Sequence, residues 1–344
     1  MGVACLVFGG RSAEHEVSIR SAQFVADGIR SVEPQLLLIK ITKDGRWFLT
    51  DAIDIAEPEA QNRLVLVPGD GIYLKSTWEK LDISLCYLVI HGTACEDGEI
   101  QGLLDSCFVP YTGSGLLSSA DSFSKTRTKE LVSRRFAVLR SRSFSVCPEP
   151  EELEGLSFPL IVKPDAAGSS VGISVLHRNA AEDIRQAFER AYGYSDLVIF
   201  ENAVTDCREF ECAVVRTDSG LRAMRICELM RSDMFLSYDY KYLSGIDYVR
   251  CPADVSSQFE GLIQQTALEI FTLLGCSGYG RVDFLYDNKA GILYFNEMTT
   301  LPGMTAASHF PKMLKASGIS WQDFWTWARE SALMRAHKRV IEVG

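Results

Sequence analysis

The stretch that decides the fold reads Gly280-Arg281-Val-Asp283-Phe-Leu-Tyr286, then a short turn, then Ile292-Leu-Tyr-Phe-Asn-Glu297-Met-Thr299. Both runs are rich in β-branched and aromatic residues. Asp287-Asn-Lys-Ala-Gly291 between them is rich in turn residues, so the sequence predicts a β-hairpin. Two antiparallel strands can direct the carboxylates of Asp283 and Glu297 toward one point.

These two carboxylates, with Arg281 beside them, predict a site for a divalent metal and an anion. Mg²⁺ takes hard oxygen ligands, often only one or two carboxylates, and completes its octahedron with water and substrate phosphates. We therefore expect Asp283 and Glu297 to hold Mg²⁺, with Mn²⁺ able to replace it, beside a nucleotide. The alternative is that the two acidic residues only solvate the edge of a hairpin.

Length and composition indicate a globular protein of two or three domains. The 344 residues exceed one ordinary core, and 47% of them are hydrophobic and 23% charged. No apolar run could span a bilayer and no signal-peptide pattern is visible, so we expect a cytoplasmic protein with no membrane partner. A net charge of -10 without a Lys/Arg cluster argues against a nucleic-acid partner.

The ten cysteines are scattered along the chain, and no Cys-x-x-Cys pair occurs. In a cytoplasmic protein this pattern favours reduced thiols over disulfides or a zinc site. We therefore expect all ten cysteines to be reduced.

Strand and helix patterns alternate along the chain. The predicted strands are residues 4–8, 36–41, 85–90, 158–162, 197–200, 212–215 and the hairpin, and the predicted helices are 18–28, 98–107, 125–135, 181–192 and 256–274. The first third reads βαβ, which predicts a doubly wound parallel sheet that binds ligands at the carboxyl ends of its strands. Motif placement gives expected domains at 1–113, 114–200 and 201–344.

Two acidic loops follow predicted strands of this first sheet. Gly9-Gly10-Arg-Ser-Ala-Glu14 opens a helix, where amide N–H groups can bind an anion and Glu14 an ammonium group. His91-Gly-Thr-Ala-Cys-Glu96 offers an imidazole and a carboxylate at the same sheet edge. Together they predict a site for a zwitterion, although an ordinary turn and a core histidine remain alternatives.

Two further segments have the character of loops over a ligand. Lys163-Pro-Asp-Ala-Ala-Gly168-Ser169-Ser-Val-Gly172 joins a lysine to a Gly-Ser loop that can cover triphosphate oxygens, with a plain β-turn as the alternative. It lacks the Gly-Lys-Ser/Thr and the following helix of a P-loop NTPase. Residues 231–245 are polar and aromatic without periodicity, which is typical of a long loop that closes as a lid.

Taken in order, these segments resemble the D-alanine–D-alanine ligase family of ATP-grasp enzymes, over residues 4 to about 328. The similar blocks are Phe8-Gly-Gly-Arg-Ser-Ala-Glu14, His91-Gly-x-x-x-Glu96, Pro110-Tyr-Thr-Gly-Ser-Gly115, Lys163-Pro-x-x-x-Gly-Ser169, Lys241-Tyr242, Gly280-Arg-Val-Asp283 and Pro302-Gly303-Met-Thr305. The resemblance implies an α/β fold with three-domain ATP-grasp architecture, ATP between the two C-terminal domains, and an acyl-phosphate intermediate.

The resemblance also implies a role for each nucleotide-binding residue. Lys125 and Lys163 contact the ATP phosphates, Glu201 the adenine and Glu209 the ribose. Lys241 belongs to the same nucleotide site.

The catalytic roles follow from the same resemblance. Glu14, Ser169 and Tyr242 form a hydrogen-bonded group that closes over the first amino acid, because an acyl phosphate is hydrolysed unless water is excluded. Arg281 and the backbone N–H of Gly303 stabilise the oxyanion that forms when the second amine attacks.

The remaining candidates bind the substrates and the metal. His91 and Glu96 are expected to bind substrate, Ser308 to bind the carboxylate of the second amino acid, and His309 to lie beside Ser308. Thr299 stands where the family usually has Asn, and a hydroxyl is a weaker metal ligand than an amide oxygen. His309 replaces a habitual aliphatic residue, which indicates either a polar or bulkier acceptor or neutral drift in a housekeeping ligase.

The sequence therefore predicts an ATP- and Mg²⁺-dependent homodimeric ligase. It is expected to join two D-alanines for peptidoglycan synthesis. One alternative is a ligase with the same chemistry and another acceptor, such as D-serine or a specialised-metabolite amino acid. A non-catalytic nucleotide-binding homologue, suggested only by Thr299, is opposed by the presence of Lys163, Arg281, Asp283 and Glu297.

Overall fold

The computed structural model describes residues 2–168, 170–230 and 248–341. The strands of the first part of the chain are β1 (Val3–Gly9), β2 (Leu36–Ile41), β3 (Trp47–Thr50), β4 (Leu64–Val67), β5 (Gly71–Leu74), β6 (Glu79–Leu81) and β7 (Ile83–Ile90). The later strands are β8 (Ser141–Phe144), β9 (Leu160–Pro164), β10 (Ser174–Leu176), β11 (Val198–Asn202), β12 (Cys207–Thr217), β13 (Gly220–Ala223), β14 (Cys227–Leu229), β15 (Val249–Arg250), β16 (Tyr279–Asp287) and β17 (Ile292–Thr299).

The α-helices of the described residues surround these strands. They are α1 (His15–Arg30), α2 (Glu99–Ser106), α3 (Leu116–Phe123), α4 (Lys125–Val132), α5 (Ala181–Tyr192), α6 (Ser257–Leu273), α7 (His309–Ala316) and α8 (Trp321–Ile341). Short 3₁₀ helices occur at Ala60–Asn62 and Pro150–Leu153. No described helix is long and apolar enough to cross a membrane.

The strands form three larger sheets and one small one within the described ranges. The first has the order β3-β2-β1-β7, with β1 parallel to both β2 and β7. The second, β10-β9-β11-β8, is antiparallel. The third, β15-β14-β12-β16-β17 with β13 beside β12, is antiparallel and contains the expected hairpin.

The first sheet confirms the expected parallel βαβ arrangement. Residues 4–8 of β1 and residues 85–90 of β7 are almost completely buried, as in a parallel strand covered on both faces. Along α1 the buried apolar residues Ile19, Ala22, Ala26 and Ile29 recur at helical spacing and give the helix one apolar face.

The turn between β1 and α1 depends on two glycines. Gly9 and Gly10 have φ of 92° and 103°, and a Cβ at Gly9 would lie 2.2 Å from the carbonyl oxygen of Ile41. Only glycine avoids both the strain of a positive φ and the clash of a Cβ with this oxygen. Ser18 stabilises this turn, since its hydroxyl accepts a bond from the N–H of Gly9 and donates one to the carbonyl of Val89.

Two expectations need correction. The strand expected at 158–162 runs from Leu160 to Pro164, because Pro159 has no amide hydrogen for the sheet. The expectation of ten reduced cysteines is wrong, because Cys227 and Cys251 form a disulfide. These two residues flank the paired positions Glu228 and Arg250 on β14 and β15, a proximity that their separation of 24 residues conceals.

The other expected strands and helices overlap observed ones, but several elements were not predicted. Among them are the short strands of the first half and the helices α3, α7 and α8. Neighbouring residues of α8 such as Phe324 and Trp325 are both buried, so no one-sided apolar stripe marks this helix in the sequence. The domain boundaries near 113 and 200 stay predictions.

Replacing Trp325 with alanine should destabilise the protein. Its indole is fully buried and makes edge contacts with Tyr87 at 5.6 Å and Phe324 at 4.7 Å between ring centroids. The cavity left by such a truncation typically costs about 3–5 kcal/mol. Urea unfolding should show the loss, with Met334→Ala as a control on an exposed position of the same helix. Equal midpoints for the two variants would contradict the expectation.

Candidate active site

One cavity collects the sequence-predicted site residues that the structure describes. Its lining includes residues of the second and third sheets, of helix α1, and of the loops that follow β1 and β7. The predicted residues found there are Glu14, His91, Glu96, Lys125, Lys163, Glu201, Glu209, Arg281, Asp283, Glu297, Thr299, Gly303, Ser308 and His309. Ser169, Lys241, Tyr242 and the rest of the expected lid lie outside the described residues.

Three strands of the third sheet place a row of carboxylates on the cavity wall. Glu211 on β12 pairs with Asp283 on β16, which in turn pairs with Glu297 on β17. Arg281 precedes Asp283 by two residues on β16, so it lies on the same face of the sheet, and it pairs with Thr299 on β17. The hairpin therefore brings together the acids and the arginine that the sequence singled out.

Arg281 is the cation within this row. Its Nε and Nη2 each donate to a different oxygen of Asp283 at 2.7 Å, Nη2 lies 3.4 Å from the hydroxyl of Thr299, and Nε lies 3.4 Å from a carboxylate oxygen of Glu211. Burial raises the pKa of Asp283 to about 8, and the charges of Glu211 and Glu297 add to this rise, while the charge and the hydrogen bonds of Arg281 oppose it. The row thus holds more negative charge than one guanidinium balances.

This excess of negative charge fits a divalent cation. Asp283 and Glu297 offer hard oxygens from neighbouring strands, and Mg²⁺ is commonly held by one or two carboxylates together with substrate phosphates. Asp283 already shares both oxygens with Arg281, and Thr299 adds only a hydroxyl. The donor set matches Mg²⁺ that is bound jointly with a polyphosphate.

Lysines on the opposite wall supply positive charge. The side chain of Lys125, at the start of α4, donates to the carbonyl of Ala167 at 2.6 Å, and so contacts the loop that follows β9. Lys163 on β9 donates to a carboxylate oxygen of Glu201 on β11 at 2.7 Å. Glu201 is nearly completely buried and also forms an ion pair with Lys129.

His91 connects the first sheet to the loop after β17. It is 2% exposed, and its Nε2 lies 3.0 Å from the hydroxyl of Ser21 while its Nδ1 lies 3.1 Å from the carbonyl of Leu301. Burial lowers its pKa, so the neutral ring is favoured. His91 is thus hydrogen-bonded as a buried core histidine would be, and its ring also lines the cavity.

Glu14 and Glu96 put two further carboxylates at this end of the cavity. A Cβ at Gly92 would lie 2.9 Å from Oε2 of Glu14 and one at Gly168 would lie 3.2 Å from it, so Glu14 sits between the His91 loop and the Lys163 loop. Glu96 accepts a bond from the N–H of Gly92 at 2.8 Å. Burial, and then the charge of Glu14, raise the pKa of Glu96 to about 8.

Ser308 and His309 form the remaining side. The hydroxyl of Ser308 accepts from the N–H of Thr305 at 3.0 Å, and a Cβ at Gly303 would lie 3.0 Å from it. His309 Nδ1 lies 2.7 Å from Oε2 of Glu211, and its ring meets Tyr248 edge-on at 5.5 Å. This side of the cavity is polar and aromatic.

Sequence reasoning missed two charged residues of this site, Glu211 and Lys129. The first is two residues after Glu209 on one strand, and the second is four residues after Lys125 on one helix. Side chains at these spacings share a face, which is the signal that could have identified both.

Comparison with known proteins agrees with this geometry. Residues 3–114 match the family model described as D-ala D-ala ligase N-terminus, and residues 127–326 match the model described as D-ala D-ala ligase C-terminus. The chain belongs to the D-alanine–D-alanine ligase family. The expected family is confirmed, and with it the expected enzyme class, a carbon–nitrogen ligase.

Curated members of the D-alanine–D-alanine ligase family match over nearly their full length. D-alanine–D-alanine ligase A of Chromobacterium violaceum is 37% identical over 351 residues, which cover 95% of this chain and 94% of the relative. The enzyme of the same name from Bradyrhizobium diazoefficiens is 35% identical over 361 residues, with 97% and 95% covered.

Solved structures of the D-alanine–D-alanine ligase family share the fold. VanG D-Ala:D-Ser ligase from Enterococcus faecalis aligns with a TM-score of 0.83 at 29% identity, covering 96% of this chain and 99% of its own. The D-alanine–D-alanine ligase from Coxiella burnetii aligns with a TM-score of 0.83 at 25% identity, covering 99% and 97%. The expected α/β ATP-grasp architecture is therefore confirmed.

The raised pKa of Glu96 predicts a pH-dependent stability. Its unfolded pKa is about 4.3 and its folded pKa about 8, so its contribution is fully present below the first value and is lost as pH rises through the second. Glu96→Gln is neutral throughout. The thermal midpoint of the ligand-free wild type, compared with the variant, should therefore fall between about pH 5 and about pH 9. A difference that stays constant over this range would contradict the assignment.

Proposed function

We propose that this chain joins two D-alanines into D-alanyl-D-alanine for peptidoglycan synthesis, at the expense of ATP. The observation that carries the proposal is the cavity itself. An arginine within a row of carboxylates lies on one wall, and Lys125 at the start of α4 and Lys163 on β9 lie on the other. This is the charge distribution that phosphoryl transfer followed by acyl transfer requires. The full-length curated relatives with this activity in their names support it.

The nucleotide is assigned to the lysine side of the cavity. Lys125 and Lys163 are proposed to bind the phosphates, and both are nearly buried, where a positive charge acts strongly. Glu201 and Glu209 are proposed to bind the adenine and the ribose. Lys241 belongs to the proposal by resemblance alone.

The metal is assigned to the carboxylate row. Asp283 and Glu297 would hold Mg²⁺ or Mn²⁺, with Thr299 as a weaker ligand. When bound, such an ion neutralises phosphate charge and orients the oxygens in transfer. Arg281, which bonds Asp283, is proposed to place its guanidinium next to the reacting acyl group.

The donor amino acid is assigned to the first-sheet side, among Glu14, His91 and Glu96. The carboxylate of Glu14 is suited to the donor ammonium group, and its position between two loops supports a role in closing them. Ser169 and Tyr242 complete this closure in the proposal. Closure matters because water would hydrolyse the acyl phosphate that forms when the donor carboxylate takes the terminal phosphoryl group.

The acceptor is assigned to the side formed by Gly303, Ser308 and His309. Its amine attacks the acyl carbon, phosphate leaves and the amine loses a proton. Arg281 and the N–H of Gly303 are proposed to bind the oxyanion of this step, since preorganised donors at that oxygen are the largest usual contribution to acyl transfer. Ser308 is proposed to bind the acceptor carboxylate. A homodimer in the cytoplasm completes the proposal and rests on the resemblance.

A second candidate is a D-alanine–D-serine ligase. His309 and Glu211 make the acceptor side polar, and VanG, whose name specifies D-serine, is among the similar structures. A hydrogen bond to a hydroxyl is the feature by which such a site would select D-serine.

Arg281→Ala should nearly abolish ligation while ATP still binds. Loss of one oxyanion donor typically costs about 10²–10³ in rate. Dipeptide formation and ATP titration measure the two effects separately. Arg281→Lys serves as the matched control, because it keeps the charge but loses the paired bonds to Asp283, and it should recover only part of the rate. Near-normal turnover in Arg281→Ala would refute the oxyanion assignment.

His309→Leu should shift acceptor preference from D-serine toward D-alanine. The variant loses the ring nitrogens that can bond a hydroxyl and leaves an apolar wall, which distinguishes a methylene by only about 1–3 kcal/mol. The kcat/KM for each acceptor measures the shift, and His337→Leu, at an exposed position of α8, is the control. An unchanged acceptor ratio in His309→Leu would favour plain D-alanine ligation without a specificity role for His309.

A further inference from the structure

Lys129 holds an unusual position behind the nucleotide side of the cavity. It lies on α4 one turn after Lys125, its side chain is 5% exposed, and it is absent from the described cavity lining. Its ammonium group forms an ion pair with Oε2 of Glu201, while Lys163 bonds Oε1 of the same carboxylate at 2.7 Å. One buried carboxylate thus lies between two buried lysines.

This arrangement keeps Glu201 ionised. Burial alone would favour its neutral form, but the charges of Lys129 and Lys163 outweigh burial and lower its pKa to about 2. A buried charge is tolerated only when its partners compensate it. Glu201 is therefore a permanent anion, and its charge is divided between two cations.

The division of charge matters for Lys163. Lys125 is a third cation nearby, and the negative charges of Glu297 and Asp165 act on it. Asp165 itself accepts bonds from Ser124 Oγ and Thr126 N at the start of α4. If Lys129 were neutral, Glu201 would pair with Lys163 alone. Lys163 would then offer a polyphosphate little net charge, since opposite charges at such short distance nearly cancel for a third charge farther away.

We propose that Lys129 is a positioning residue for the nucleotide. It pairs with Oε2 of Glu201, so that Glu201 does not neutralise Lys163 alone and Lys163 keeps a net positive charge for the phosphates. This inference rests on the proposed nucleotide site. It assigns no contact with the nucleotide to Lys129. It predicts that the effect of removing Lys129 depends on Glu201 and grows with the number of phosphates.

The test is a double-mutant cycle read by direct binding. Calorimetric titration of the full chain with ATP, and separately with AMP, is carried out on wild type, Lys129→Met, Glu201→Gln and the double variant. Lys129→Met should weaken ATP binding by about tenfold, within the range of coupling between contacting residues, and AMP binding by less. The loss of ATP-binding free energy in the double variant should be smaller than the sum of the two single losses, because Lys163 no longer needs Lys129 once the charge of Glu201 is gone.

Lys129→Arg is the matched control, since it keeps the charge on a similar stem and should bind ATP within about threefold of wild type. Thermal midpoints establish that each variant is folded. The ratio of the losses in ATP and AMP affinity is then compared within one folded variant, so a small loss of stability does not affect it. The inference is overturned if the two substitutions weaken ATP binding additively, or if ATP and AMP lose the same factor. Wild type that binds ATP but forms no dipeptide would refute the proposed ligation and leave this test intact.

Discussion

The structure depends on placing several charges of both signs in one cavity. A buried charge is tolerated when a partner compensates it, and the cost of losing that partner is far larger than the gain from making the pair. Arg281 between Asp283 and Glu211 is the clearest case. The antiparallel sheet fixes these partners by register, because a slip of one residue along β16 would turn both side chains away from the cavity.

The same constraint organises the two walls. The carboxylate row on the third sheet has more negative charge than Arg281 neutralises, and the lysines of the second sheet and α4 outnumber Glu201. In the proposed function, a metal with a polyphosphate would supply the missing charges, positive at one wall and negative at the other.

Much of this could be predicted from the sequence where local patterns carry the information. The hairpin was visible because β-branched runs flank a turn, and the loops after β1, β7 and β9 because glycines and acids follow apolar strands. Glu211 and Lys129 were missed because their spacing shows only the face that they share with Glu209 and Lys125, and not their partners across the fold. The disulfide between Cys227 and Cys251 was missed for the same reason, since only strand pairing brings the two sulfurs together.

The bonds around Ser21 and His91 affect how the enzyme is made. Ser21 accepts from the N–H of Met304 across 283 residues of chain, and His91 meets the carbonyl of Leu301 across 210. Such contacts form late, because a long loop must close before they contribute. A ribosome-bound chain that still lacks the segment after β17 cannot complete the cavity, however well its first sheet has folded. Truncated products of interrupted synthesis will therefore lack the residues after β17 that line one side of the cavity.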